Sequence, residues 1–339
     1  MKLQEKPPMI TILLPFFRVR NEFDQAIDSI VNQTFGQWEL LLVSNNGNPE
    51  GLEIAASRMK EDSRIKLIHE PQQGIAHALN AGLKHCNTPY VARMDADDFS
   101  HPERLQKQLD YLEKNPDIDV VSSQTIFSSD IPGSEGFALF IDWQNHIITP
   151  EEHDLQRFIE SPMAHPTIMF RRELIDNYGL YNTGPVPEDY EMWLRWMDQG
   201  ARFYKIPEPL LTWHDHSGRL TRTHDNYSRE AFYHVKALYL SKWLLRNVPS
   251  EKKIVVCGSS RNGRKRAALL KENGVEIFGF TDVKKRSNRQ VNFISIEEIT
   301  QPETWFLVNV INSRGVGEAI RKHFSALGFK EGRDFILAG

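Results

Sequence analysis

The chain's first clear feature is an unbroken apolar run. Met9-Ile10-Thr11-Ile12-Leu13-Leu14 shows no polar alternation, the pattern of a strand covered on both faces. Phe23, Ala26, Ile27, Ile30 and Val31 then recur at helical spacing. Glu39 to Val43 reads as a second strand, closed by the turn-forming Ser44-Asn45-Asn46-Gly47-Asn48. A helix is expected from Gly51 to Lys60 and a short strand from Ile65 to Ile68. Ile75, Ala78, Leu79, Gly82 and Leu83 mark a third helix, and Tyr90 to Arg93 a fourth strand. Alternating strands and helices predict an α/β fold with a mostly parallel sheet covered on both faces. Such sheets bind ligands beyond the carboxyl ends of their strands. Pro15 to Arg18, Asn45-Asn46 and the acidic run after Arg93 should therefore share one rim.

A second αβ unit is expected after Pro249. Lys253 to Cys257 is a strand, Gly258 to Gly263 a turn and Arg264 to Asn273 a helix. Val275 to Phe280 is a strand leading to Asp282; Trp305 to Ile311 is another, and Val316 to Leu327 a helix. The linker is placed at Asn247 to Glu251, which divides the chain into domains 1–247 and 248–339. The helix before it, Glu230 to Leu245, is read as a bridge between them.

The length of 339 residues suits two domains, and 40 % hydrophobic with 25 % charged residues suits packed cores. A net charge of −4 argues against a general nucleic-acid binder. Only Cys86 and Cys257 occur, far apart, so no disulfide framework and a reducing cytoplasm are expected. No signal peptide or membrane span is expected, since the run from Met9 to Phe17 is short and holds Pro15. Any membrane association is expected to be peripheral, at the inner face.

Chemistry enters with Met94-Asp95-Ala96-Asp97-Asp98. Three carboxylates at the end of a core strand repel one another unless a cation sits among them. Hard oxygen ligands favour Mg²⁺ or Mn²⁺, which also bridge phosphates. The alternative is a set of solvated turn aspartates. Ser100-His101-Pro102-Glu103 reads as a capping box for the next helix, so capping needs none of the three. The second signal is Pro187-Glu188-Asp189-Tyr190-Glu191-Met192-Trp193-Leu194-Arg195-Trp196. Tyr190, Trp193, Leu194 and Met197 form an apolar stripe, and Glu188 and Asp189 stand at the helix start. A carboxylate there can take a proton from an attacking hydroxyl, or can be an ordinary acidic N-terminus.

Five motifs follow in order: Ile12-Leu13-Leu14-Pro15, Ser29 to Thr34, Asn80-Ala81-Gly82-Leu83, Asp95-Ala96-Asp97-Asp98 and Glu188 to Arg195. Over roughly residues 9 to 225 this resembles the family-2 glycosyltransferases with their GT-A fold. The resemblance implies a nucleotide-sugar donor, a glycan or lipid-linked acceptor, and Mn²⁺ or Mg²⁺ as cofactor. It implies that Pro15, Phe17, Asn45 and Asn46 border the nucleotide. Asp95 would touch the ribose or metal, and Asp97 would ligate the metal. Asp189 would be the catalytic base, with Glu188 in support. His165 would lie near the sugar or acceptor, with Trp193 as a second candidate there. Arg219 and Arg222 would hold the diphosphate, and His216 or His214 would add a metal ligand; a solvated polar loop is the alternative. Asn45-Asn46 stands where the family usually has paired aspartates, and Leu79 where it often has arginine, so uridine is only a default base. A sugar nucleotidyltransferase, which would need a glycine after the first strand, is disfavoured by Pro15-Phe16-Phe17-Arg18-Val19-Arg20. A non-catalytic scaffold is disfavoured by the intact Asp95, Asp97 and Asp189.

In the second unit Gly258-Ser259-Ser260-Arg261-Asn262-Gly263 resembles a dinucleotide loop, but Ser260 replaces the middle glycine. Asp282 stands where a ribose-binding acid would be. The unit also resembles the small Rossmann-like domain of bacterial sugar O-acyltransferases. It is read as a binding or docking module for a nucleotide or partner protein, or as purely structural. Lys284-Lys285-Arg286 and Arg261 to Arg266 give it basic edges.

Overall fold

The structure, a computed structural model, describes residues 7–19, 21–282, 291–313 and 315–339. Arg20 and Lys284-Lys285-Arg286 lie outside the described residues. The first unit, residues 1–150 and 163–227, carries most of the expected alternation. It runs β1 (Ile10–Phe16), α1 (Glu22–Val31), β2 (Trp38–Ser44), α2 (Pro49–Glu61), β3 (Ile65–His69), α3 (Ile75–His85) and β4 (Tyr90–Arg93). Next come β5 (Phe99–Ser100), α4 (Arg104–Lys114), β6 (Val120–Ser129), α5 (Glu135–Asn145) and α6 (Pro150–Gln156), the last of which crosses into the second unit. The first unit closes with β7 (Met169–Arg171), α7 (Glu173–Tyr178), α8 (Glu188–Asp198), β8 (Phe203–Asp215) and the single turn α9 (Leu220–Thr223).

Eight strands form one sheet in the order β3-β2-β1-β4-β7-β6-β8-β5. β3, β2, β1 and β4 are mutually parallel, and β6 runs parallel to β8. The short β7 runs against both β4 and β6, and β5 runs against β8. Alternate residues of β1 serve opposite faces. Ile12 and Leu14 meet Phe23, Ile27 and Ile30 of α1, while Leu13 meets Leu79 and Leu83 of α3. That double coverage is why the strand reads as continuous apolar sequence. Gly82 lets α3 lie close to the sheet, since an added Cβ would come within 2.8 Å of Leu13 Cδ2.

The expected capping box before α4 does not form. Ser100 is the end of β5, and the N-cap is Glu103 without a side-chain bond. Gln33, just past α1, takes over: its Oε1 accepts the Leu105 N–H at 3.0 Å. Its Nε2 donates to Ser29 O and His101 O.

The second unit comprises residues 151–162 and 228–339. Its elements are α10 (Arg229–Asn247), β9 (Lys253–Cys257), α11 (Arg261–Glu272), β10 (Gly279–Thr281), β11 (Trp305–Asn309), α12 (Val316–Ala326) and β12 (Phe335–Leu337). The four strands are all parallel, in the order β10-β9-β11-β12. β10 is shorter than the run from Val275 that was expected, and β12 was not anticipated.

The boundary differs from the one read at residue 247. α10 belongs wholly to the second unit, joined by the excursion 151–162. The physical reason is burial within that unit. Trp243 packs on Phe158 and Phe306, with ring centres 6.3 and 6.0 Å away, and Leu244 is buried beside it. Leu245 alone of the Trp243-Leu244-Leu245 run is exposed. Asp282 accepts the Ser259 N–H at 3.0 Å and its hydroxyl at 2.8 Å, so it braces the glycine loop. Among the described residues no helix is long and apolar enough to cross a membrane. Cys86 and Cys257 are both buried free thiols.

Candidate active site

β4 ends at Arg93, and the chain turns through Asp95, Asp97 and Asp98 into β5. β5 pairs with β8, Phe99 opposite Thr212. That pairing lays the segment after β8 beside the acidic turn. His216 Nε2 lies 2.7 Å from Asp97 Oδ2. Arg219 reaches Asp95 at 3.4 Å and Asp98 at 3.7 Å, its guanidinium 3.9 Å from the Trp213 ring centre. Buried Arg93 also pairs with Asp95. The His214 N–H donates to Asp98 Oδ1 at 2.8 Å. The His214 ring instead faces Glu22 and Asp130, at 3.9 and 3.8 Å.

The three acids are electrostatically unequal. Burial works to raise the Asp97 carboxyl, but the His216 hydrogen bond and Arg219 outweigh it and hold the group low. Burial pushes Asp98 well above the usual carboxylate range; the pull of Arg219 opposes this, and the charges of Asp97 and Asp95 add to it. One oxygen of each acid lies within 4.8 Å of the others. Asp98 Oδ2 is buried without a hydrogen-bond partner. Three carboxylate oxygens this close fit a divalent cation such as Mg²⁺ or Mn²⁺.

α8 brings the second pair of acids. Asp189 Oδ1 accepts its neighbour's N–H, that of Tyr190, at 2.7 Å, within the first helical turn. Glu188 accepts the Tyr227 hydroxyl at 2.6 Å. Burial, then the charge of Asp189, pushes Glu188 up to about 8. Burial also raises Asp189; Arg93 opposes that shift and Asp95 adds to it. Those two influences put Asp189 within electrostatic reach of the acidic turn. Arg93 is thus the cation common to both acid sites.

The sequence pattern described as "Glycosyl transferase family 2" matches residues 11–179. The amylovoran biosynthesis glycosyltransferase AmsE of Erwinia amylovora is 30 % identical over 206 residues, covering 60 % of this chain and 75 % of AmsE. The chain belongs to glycosyl transferase family 2. The bifunctional glycosyltransferase pgtA of Dictyostelium discoideum is also 30 % identical, over 336 residues that cover 86 % of this chain. This chain spans 42 % of pgtA, less than half of it. Among solved structures, S. aureus TarS 1–349 in complex with UDP-GlcNAc superposes with a TM-score of 0.56 at 16 % identity, covering 78 % of this chain and 71 % of TarS. The mannosyltransferase PcManGT of Pyrobaculum calidifontis, in complex with GDP-Man and Mn²⁺, gives 0.50 at 16 % identity, covering 79 % and 70 %. These likenesses place the large sheet in the GT-A class.

Within this family-2 frame the remaining expected residues divide. Pro15 is buried in β1 opposite Val43, and Phe17 emerges, 38 % exposed, just past the strand end. Asn45 braces the loop 70–74. Its Nδ2 donates to Glu70 O and Gln72 O at 3.0 and 2.7 Å, and its Oδ1 accepts the Gly74 N–H at 2.7 Å. Its amide hydrogens and its carbonyl oxygen are therefore all engaged with the backbone of that loop. Asn46 is exposed, at φ 56°, and donates to Pro71 O. Arg222 is paired with buried Asp215 at 2.6 Å and lies over Phe137, so it braces β8 rather than joining Arg219 at the acidic turn. Trp193 is wholly buried against Trp196 and Phe203, a core residue rather than an acceptor platform. His165 is buried with Nε2 2.8 Å from the Tyr181 hydroxyl. Burial and then Arg93 hold its pKa well below the usual value, so it is neutral.

Sequence reading missed Arg93 and Tyr227. A charged residue ending a buried strand was the available signal for Arg93. For Tyr227 there was none, since the contact joins residues 39 positions apart.

Proposed function

We propose that this chain transfers a sugar from a nucleoside diphosphate to an acceptor hydroxyl, with inversion at the anomeric carbon. The observation carrying the reading is the cluster of Asp95, Asp97 and Asp98, one oxygen of each within 4.8 Å of the others, with His216 2.7 Å from Asp97 and Arg219 3.4 Å from Asp95. Asp95 and Asp97 would hold a divalent cation, with Asp98 behind them and His216 beside Asp97. Bound there, the cation supplies positive charge to the diphosphate leaving group. Arg219 adds a fixed guanidinium on the same side. Asp189 accepts the proton of the attacking hydroxyl. Glu188, raised to about 8, stays protonated at neutral pH and so leaves Asp189 as the ionised member of the pair. A pair split in this way provides one base and no second carboxylate nucleophile, as a single displacement requires.

AmsE, named for amylovoran biosynthesis, supports a polysaccharide or lipid-linked glycan as acceptor. The UDP-GlcNAc complex of TarS supports a UDP-sugar as donor, and the Mn²⁺ in PcManGT supports the metal.

Asp189→Asn is expected to cut turnover about 10²–10⁴-fold while nucleotide affinity changes little. Initial rates and a nucleotide titration check both; a variant keeping most of its activity removes Asp189 from the role. Asp97→Ala is expected to abolish the Mn²⁺-dependent part of nucleotide binding. Calorimetry with and without chelator reads this, and unchanged affinity in the presence of Mn²⁺ refutes the metal site.

A further inference from the structure

We propose that Arg219 is an exchangeable counter-ion of the acidic turn. It neutralises Asp95 and Asp98 until a divalent cation enters, and the cation then releases it to the diphosphate of the nucleotide.

Among the described residues two guanidiniums form ion pairs with the three carboxylates, and they are held very differently. Arg93 ends β4, is 2 % exposed and contacts Asp95 Oδ2 directly. It is fixed by the sheet. Arg219 reaches the same Asp95 oxygen with Nη2, but only at 3.4 Å, and its Nη1 stands 3.7 Å from Asp98 Oδ1. A full charge-assisted hydrogen bond between such groups measures about 2.7–2.9 Å. The hold of Arg219 on the carboxylates is therefore loose. Its firmer contacts are with neutral groups: Nη1 donates to the His214 carbonyl, and the guanidinium lies over buried Trp213.

Release of this side chain needs no movement of the segment that carries it. Arg219 is the N-cap of the single turn α9, and Arg222 within that turn is tied to buried Asp215 at 2.6 Å. His216 plays a different part. Its Nδ1 accepts the Gly218 N–H at 3.1 Å, so its Nε2 carries the hydrogen given to Asp97. His216 brings a hydrogen bond to the turn, whereas Arg219 brings a whole charge.

A divalent cation and the Arg219 guanidinium draw on the same carboxylate charge and repel each other. Arg219 thus opposes the binding of metal alone. The diphosphate supplies new acceptors for the guanidinium as it leaves Asp95, and its planar fork suits phosphate oxygens. Metal and nucleotide binding become mutually dependent through this one side chain.

The proposal rests on the metal reading of the acidic turn, and its test measures binding rather than turnover. Mn²⁺ binding to the full chain is followed by the electron paramagnetic resonance signal of the free ion. Arg219→Gln should bind Mn²⁺ alone about tenfold more tightly than the parent, because an opposing charge is gone. UDP titrated calorimetrically into the Mn²⁺-saturated proteins should bind the variant about tenfold more weakly, because the phosphate contact is gone. A residue that only held the turn in shape would weaken both. Arg219→Lys keeps the charge, so its affinity for Mn²⁺ alone should lie closer to the parent than to Arg219→Gln. Unchanged or weaker Mn²⁺ binding in Arg219→Gln overturns the exchange, as does equal UDP binding by parent and Arg219→Gln, or Arg219→Lys binding Mn²⁺ as tightly as Arg219→Gln. If the parent binds UDP equally with Mn²⁺ and with chelator, the metal reading falls and the exchange with it. Mn²⁺-dependent UDP binding in the parent, with no gain in Mn²⁺ affinity on Arg219→Gln, removes the exchange alone.

Discussion

At the scale of single residues, the site is organised by Arg93. Its side chain is buried, pairs with Asp95 and is felt by Asp189, Glu188 and His165. One fixed cation thereby offsets two acid clusters that would otherwise repel each other. Glu188 reports on that balance. Its carboxyl is raised from 4.5 to about 8, so the folded protein favours its neutral form. The associated stability is complete below the unfolded pKa and is lost as pH rises toward 8. Glu188→Gln keeps the neutral shape at every pH. The parent should therefore lose stability relative to the variant between pH 4.5 and 8, by on the order of a few kcal/mol. Thermal melts across that range test it, and a constant difference between the two proteins refutes the neutral assignment.

At the scale of elements, two amides fasten the catalytic layer. Asn80 of α3 grips the Tyr181 backbone, accepting its N–H and donating to its carbonyl, both at 2.9 Å. Tyr181 in turn meets His165, and the segment leads into α8 with its two acids. Asn80→Ala would leave both backbone groups unsatisfied in a buried setting. We expect a loss of about 2–4 kcal/mol in urea unfolding, with activity falling by more than that of a surface control. A variant as stable as the parent would show that water replaces the amide. Gln33 plays the corresponding part for α1 and α4. The motifs containing Asn80 and Gln33 were recognisable in the sequence, but their mechanical role was not. Asn80 meets a residue 101 positions away, and Gln33 caps a helix 72 positions away.

At the scale of the whole chain, the division into units matters most. Pro249 and the polar residues around it looked like a linker, yet the chain changes units at Tyr227/Ser228 and also sends 151–162 across. Amphipathic sequence signals burial but not the partner, which is why α10 read as a bridge. A chain ended at Asn247 keeps α10 but loses Phe306, the aromatic partner of Trp243. It should expose Val235, Leu240 and Leu244 and self-associate. Size-exclusion chromatography at rising concentration checks this; a stable monomer would restore the boundary read from sequence.

The sequence by itself determined the local pieces, because periodicity and turn chemistry act over a few residues. β1 through β4 and their helices, the acidic turn and the two acids at the start of α8 were all readable in that way. Only the tertiary structure decided which of these groups meet. Pairing of β5 with β8 carries His216 and Arg219 to the aspartates, and takes Arg222 to Asp215 instead. Packing sends Trp193 into the core and turns Asn45 onto the loop 70–74. Burial then sets the charges, raising Glu188 and Asp98. Desolvation depends on every neighbour in space, and no short stretch of sequence records those.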